Sequence, residues 1–429
     1  MAKKKKEQQV GHPPTKRQLT HWQKQALRQR IIGVIGTIII VGVVTFLGVG
    51  WYFQEYVPVI KPMHETVVEV NGHKYSMAYY VDALRYWEAV YEGMYSTGGQ
   101  TFYQYITDSV ETNIEQNEII KEASVKLGIT VSDDEVNQYI KDNSLGNNLA
   151  VRDIVHGQLL SQKLTSDYFG PQVPASAEYR DVLAMFLESQ SQFNDIKAQI
   201  DAGADFGQLA AADSLDSTTA GDSGALGSHA KGVFDYKLGT TGFDDIIFAQ
   251  DIGNWGSFAD AEKTKQVGYW LVKVTERKDD NSQMHVFGML LASLEEAQSI
   301  KIRLDAGEDF TTLAKQYSQN WSDTSKDDLS WITSDSTAAY KSFVFDTATS
   351  IGAVSAPIKD TSQSTMGGYW LFKVLDSAIK DVSTEDKTDL TNQAFTTWLT
   401  ALQDDTVNNK ITNNLDDTKK AFATSQAGG

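Results

Sequence analysis

The sequence predicts an α+β protein of several domains held behind one transmembrane helix. Three observations predict it. A charge-free apolar run lies near the N-terminus, a stretch of helical periodicity follows a single strand, and an internal repeat alternates helix-period with strand-period segments. The chain has 429 residues and no cysteine. Thiol nucleophiles, thiolate metal sites and disulfides are therefore excluded, and stability must come from packed cores.

The apolar run is Ile31–Phe53, 23 residues without a charge. At about 1.5 Å per residue it spans the roughly 30 Å hydrocarbon layer of a bilayer. Trp51, Tyr52 and Phe53 stand where an aromatic belt would lie. Residues 1–30 carry nine Lys/Arg against one acid, Glu7, which predicts a basic cytoplasmic tail and a globular part outside the cytoplasm. Of the 38 basic and 56 acidic residues, 29 and 55 then remain in 31–429, a net charge of −26. A body that acidic excludes nucleic acid as a partner. Gln54–Glu65, with Pro58 and Pro62, predicts an extended tether.

Thr66–Lys74 alternates apolar and polar residues and ends at Asn71-Gly72, a strand and turn. Leu84, Trp87 and Tyr91, then Ile119, Ile120, Ala123 and Leu127, fall at helical spacings. Ser132, followed by Asp133, Asp134 and Glu135, predicts a new N-cap. Residues 66–175 thus form an α-rich domain.

The repeat comes next. Ala202-Gly203-Ala204-Asp205-Phe206 recurs as Ala306-Gly307-Glu308-Asp309-Phe310, and Gly268-Tyr269-Trp270-Leu271-Val272-Lys273-Val274 recurs as Gly368-Tyr369-Trp370-Leu371-Phe372-Lys373-Val374. Two motifs in one order define two copies, 178–277 and 283–377. Each reads as a strand, an amphipathic helix, a second helix begun near Asp205 or Asp309, a Gly/Ser/Asp-rich loop and a closing strand. Residues 384–404, with Leu390, Phe395, Trp398 and Leu402, predict a C-terminal amphipathic helix that needs an apolar partner.

These motifs, with the loop Gly221–Gly227 and the segment Phe243–Phe248, resemble parvulin-type (rotamase) peptidyl-prolyl isomerase domains. Residues 67–81 and 119–140 resemble the helical N-terminal chaperone domain of SurA- and PrsA-type extracytoplasmic foldases. The resemblance implies a transmembrane helix, a SurA-N-like domain, two tandem parvulin-like (FKBP-like) domains and a C-terminal helix docking back on the N-terminal domain. It also implies binding of unfolded, newly exported or proline-containing polypeptides, and catalysis of X-Pro rotation.

Active parvulins carry a His on the first strand, an Asp or Cys in the Gly-rich loop and a His on the last strand. The corresponding positions here are Ala184, Ala225 and Trp270 in copy one, and Gly288, Asp328 and Trp370 in copy two. The His pair is absent from both copies, so Asp328 is the one candidate catalytic group. Phe243, Phe248, Trp270, Trp331, Phe343 and Trp370 are the candidate peptide-binding residues that the resemblance implies. No cofactor is expected. His12, His21, His64, His73, His156, His229 and His285 form no HExxH or paired spacing, so no metal site is expected either. Three readings stand: a chaperone with degenerate isomerase domains, an active isomerase in at least the second copy, and a non-catalytic surface scaffold. The first is favoured, and the oligomeric state is open.

Overall fold

The computed structural model describes residues 37–91, 100–321 and 327–428. The basic tail 1–30 and the first six residues of the apolar run lie outside the described residues. Thr37–Met63 is one continuous helix, long and apolar enough to cross a membrane, and none of its apolar stretch is buried. The extended tether expected over 54–65 is instead mostly helical. Tyr52–Ile60 widens into a π-helix around Pro58, and Pro62 sits in the first turn of the segment that follows. The wider turn accommodates a ring that has no N–H to donate.

The chain divides into two compact units, residues 1–162 with 399–429, and residues 163–398. In the first, strand β1 (Thr66–Val70) turns through Asn71 and Gly72, both at positive φ, into β2 (His73–Ser76). That is the left-handed pair a two-residue hairpin turn requires. The helices Met77–Tyr91, Gln100–Lys126, Asp133–Asp142 and Leu149–Lys163 follow. Ser132 caps its helix reciprocally with Glu135, as the sequence predicts. The apolar core gathers Val67, Tyr80, Leu84, Tyr103, Ile114 and Ile154. The C-terminus completes this unit: strand Ile411–Asn413 pairs antiparallel with β1, and Ala423 and Ala427 of helix Asp417–Ala427 enter the core. Leu402, near the end of helix Thr384–Asp404, packs on the same core.

The second unit holds two four-stranded antiparallel sheets. The strands are β3 (Ser176–Leu187), β4 (Ala225–Ala230), β5 (Trp255–Lys265), β6 (Gly268–Arg277), β7 (Gln283–Leu291), β8 (Asp328–Thr333), β9 (Ile358–Asp360) and β10 (Thr365–Asp381). One sheet has the order β4-β3-β10-β5 and the other β8-β7-β6-β9. The copies 178–277 and 283–377 are thus repeats in sequence, but each closing strand lies in the sheet of the other copy. Trp370 pairs with Phe186 and Phe258 of copy one, while Trp270 pairs with Leu290 and Ile358 of copy two.

The two chain segments cross between Lys265 and Gly268 and between Asp360 and Gly368. There the buried Lys265 ammonium donates to the Gly367 carbonyl, and the Thr365 hydroxyl donates to the Val267 carbonyl. The Gln319 carboxamide accepts from Met366 N at 2.6 Å and donates to its carbonyl at 2.9 Å.

Each sheet is covered on both faces. On one face, helices Gln190–Asp201 and Phe206–Asp213 cover Met185, Leu187 and Leu371, while Leu294–Asp305 and Phe310–Tyr317 cover Leu271, Met289 and Leu291. Asp205 and Asp309 cap the second helix of each copy, as the motif predicts. Gly203 and Gly307, at φ +97° and +95°, end the preceding helix in the left-handed conformation.

Candidate functional site

The opposite face of each sheet carries the positions that the sequence singled out. In the first sheet Ala184 and Phe186 on β3 lie beside Trp370 and Phe372 on β10, under helices Val233–Leu238 and Phe243–Ala249. Trp370 is fully buried. Its indole stacks on Phe243 with ring centroids 5.1 Å apart and tilts against Phe186 at 4.9 Å. Its Nε1 donates to Asp260 Oδ2 at 3.1 Å. Asp260 is also buried. It accepts the Thr240 hydroxyl and the backbone N–H groups of Glu262 and Lys263, so its charge is held by four donors. The Lys263 ammonium pairs with Asp216 at 2.9 Å and stands 5.7 Å from the Trp370 ring.

The second sheet repeats the arrangement. Trp270 Nε1 donates to Asp360 Oδ2 at 3.1 Å, and Tyr340 meets the indole edge-on at 5.5 Å. Asp360 Oδ1 accepts from the backbone and hydroxyl of Ser362, and these donors hold its carboxyl below the usual range against the effect of its burial. Each Trp–Asp bond joins a strand of one copy to a strand of the other. The size pattern also repeats. A Cβ on Gly288 would stand 2.4 Å from Leu329 Cδ1 and 3.4 Å from Trp270, so glycine leaves room chiefly for Leu329, which packs beside the indole. Where the resemblance implies two imidazoles, each sheet has one large and one small residue, Trp370 with Ala184 and Trp270 with Gly288.

Among the six candidate peptide-contact residues, Phe243, Trp270 and Trp370 are therefore core. Their faces are occupied by aromatic neighbours and the indole N–H groups by carboxylates. Phe248, Trp331 and Phe343 are half-buried and keep an edge toward solvent. Asp328 is half-exposed and does not face Trp270. Leu329, the next residue, takes that place, because successive strand residues point to opposite faces. Asp328 instead meets His285 Nε2 at 3.2 Å, His285 Nδ1 lies 2.8 Å from the Thr275 hydroxyl, and Trp331 packs edge-on against the imidazole at 5.2 Å.

Sequence reasoning missed Asp260, Asp360 and Tyr340. Asp260 and Asp360 precede the crossing segments at the same offset as Trp270 and Trp370, a repeat signal of one residue each. It also missed His229, whose Nδ1 lies 2.7 Å from the buried Asp386 of the C-terminal helix. Asp386 accepts Ala230 N as well, and these bonds lower its carboxyl against the cost of burial.

This set of domains defines a class. Residues 24–165 match the SurA-like N-terminal domain, and residues 178–278 and 291–376 each match the PPIC-type PPIase domain. The chain belongs to the SurA/PrsA-like foldases, with one SurA-like domain and two parvulin-type domains behind an apolar N-terminal helix.

Foldase protein PrsA of Halalkalibacterium halodurans is 27% identical over 241 residues, 51% of this chain and 67% of that protein. Chaperone SurA of Methylobacillus flagellatus is 29% identical over 230 residues, 48% of this chain and 49% of that protein, so the match spans about half its length. The crystal structure of foldase protein PrsA from Streptococcus pneumoniae matches at 10% identity over 85% of this chain and 92% of that one, with a TM-score of 0.26.

Proposed function

We propose that this protein is an extracytoplasmic folding factor that binds unfolded or proline-containing segments of newly exported proteins, with isomerase-type domains of weak or no catalytic activity. The N-terminal helix anchors it in the cell membrane as a single-pass protein with residues 1–30 in the cytoplasm. The observation that carries the reading is the replacement of the rotamase His pair by Ala184 with Trp370 in one sheet and by Gly288 with Trp270 in the other, each indole buried and bonded to a carboxylate. Prolyl rotation needs a pocket that holds the ring and favours the twisted amide over a barrier of about 18–20 kcal/mol. A position filled by a packed indole offers neither that space nor a free imidazole. Phe248, Trp331 and Phe343 then supply edges for apolar client segments.

A second reading, an active isomerase in the sheet that carries copy two's first strand, has one observation in its favour. His285, Asp328 and Thr275 form a hydrogen-bonded group beside the half-buried Trp331.

The test uses the full chain in detergent micelles. Cis/trans exchange of a prolyl peptide is followed beside aggregation of an unfolded client. No turnover above background with client aggregation suppressed is the expected result. Turnover that Asp328→Ala removes would establish the second reading, and a chain that does neither would leave the scaffold alternative.

A further inference from the structure

We propose that His73, Glu118 and Glu122 form a binding site for one first-row divalent metal ion of the zinc class. The three residues come from two elements. The hairpin turn at Asn71-Gly72 sets His73 at the start of β2, and Glu118 and Glu122 lie one turn apart on the same face of helix Gln100–Lys126. Their ligand atoms all lie within 4.8 Å of one another.

The His73–Glu118 spacing suits a bound ion as well as an ion pair. His73 Nε2 and Glu118 Oε1 are 3.5 Å apart, beyond the roughly 2.7–3.2 Å of an N–H···O hydrogen bond. Two ligands bound tetrahedrally at about 2.0–2.1 Å stand about 3.4 Å from each other. Glu118 is almost fully buried, and a carboxylate in that position needs compensation from more than one neighbouring donor.

The surroundings match a metal site as well. Tyr75 Oη donates to Glu118 Oε2 at 2.7 Å, and Lys121 approaches the same oxygen at 3.5 Å, so both donors leave Oε1 to face the imidazole. Asn71 Nδ2 donates to Glu122 Oε2 at 2.6 Å. Asn71 is itself held, since its Oδ1 accepts Lys410 N at 2.7 Å and its Nδ2 reaches Asn409 Oδ1 at 3.1 Å. Each carboxylate thus has one oxygen held by an outer donor, an arrangement that orients metal ligands elsewhere. One imidazole and two carboxylates leave a fourth tetrahedral position for water. Soft thiophilic ions have no ligand here, and the imidazole disfavours calcium and magnesium.

The test is calorimetric titration of the metal-stripped full chain in detergent with zinc chloride, repeated with magnesium chloride. One equivalent of zinc bound at micromolar affinity, with no saturable magnesium binding, is the expected result. His73→Ala and Glu122→Gln should each weaken zinc binding at least tenfold. Both side chains are accessible enough to change without opening the core, and circular dichroism confirms the fold of each variant. Tyr75→Phe should weaken binding about tenfold through orientation alone. No saturable zinc binding, or equal affinity in the wild type and both ligand variants, would overturn the assignment. So would binding that depends on Glu122 but not on His73.

Discussion

At one layer the exchanged closing strands are matched in size to the sheets that hold them, and the match can be inverted. In the observed arrangement Phe372 on β10 lies opposite Gly256 on β5, and a Cβ on that glycine would stand 2.3 Å from the Phe372 ring. At the equivalent layer of the other sheet the smaller Val272 lies beside Ser355, whose hydroxyl accepts Val272 N at 3.0 Å. If each copy kept its own closing strand, Val272 would face Gly256 and leave a void, while Phe372 would press on Ser355.

The variant carrying both Phe372→Val and Val272→Phe reverses this. Losing most of a fully buried ring costs about 2–3 kcal/mol, and overpacking beside Ser355 costs about 1–3 kcal/mol. Together they disfavour the exchanged form by roughly two to four orders of magnitude relative to the other, at about 1.4 kcal/mol per tenfold. A chain without cysteine allows a direct assay. Asp181 pairs with Asp376 in the observed register, and Glu276 is the copy-one counterpart of Asp376. Asp181→Cys should form a disulfide with Asp376→Cys in the wild-type background and with Glu276→Cys in the inverted one. A wild-type background that links 181 to 276, or an inverted one that still links 181 to 376 undiminished, would refute the reasoning.

Two further outcomes are expected. Asp260→Ala leaves the fully buried Trp370 Nε1 without an acceptor and should cost about 2–3 kcal/mol in urea unfolding, whereas Asp260→Asn, which keeps an acceptor, should cost less. Burial depresses the Lys265 ammonium to about 8 from its ordinary 10.5, so the folded state disfavours its charge. With the folded value below the unfolded one, its stabilising contribution is complete above pH 10.5 and is lost as pH falls through 8. Relative to Lys265→Met, the wild type should therefore gain up to about 3 kcal/mol between pH 8 and 10.5, and a flat difference would contradict this.

Much of the architecture was legible in the sequence because it rests on local signals. The AGxDF helices are capped where the motif places Asp205 and Asp309, and the apolar run reads as a helix without reference to anything distant. The strand exchange was not legible. Gly-Tyr-Trp-Leu-Val-Lys-Val and Gly-Tyr-Trp-Leu-Phe-Lys-Val can close either sheet, and the discrimination between them lies in Gly256 and Ser355, remote in sequence. Asp328 lies on the face away from Trp270, with Leu329 in the facing place, because in a strand one residue turns a side chain to the other face. Most of the aromatic candidates cluster on the two sheet faces opposite the capped helices, but periodicity alone does not separate a wall that faces solvent from one covered by Phe243 or Tyr340.

A chain delivered from its N-terminus meets the crossing in a particular order. When Arg277 emerges, β3, β4 and β5 are present but the strand that belongs between β3 and β5 is about a hundred residues away in synthesis. The sheet begun first is therefore finished last, after β6 to β9 have closed around β7. In the interval β6 is the competing strand for the vacant place, and Val272 over Gly256 would fill it less well than Phe372 does. A protein with the domains of a folding factor would thus carry within its own chain a pairing decision of the kind that folding factors attend, settled by one phenyl ring.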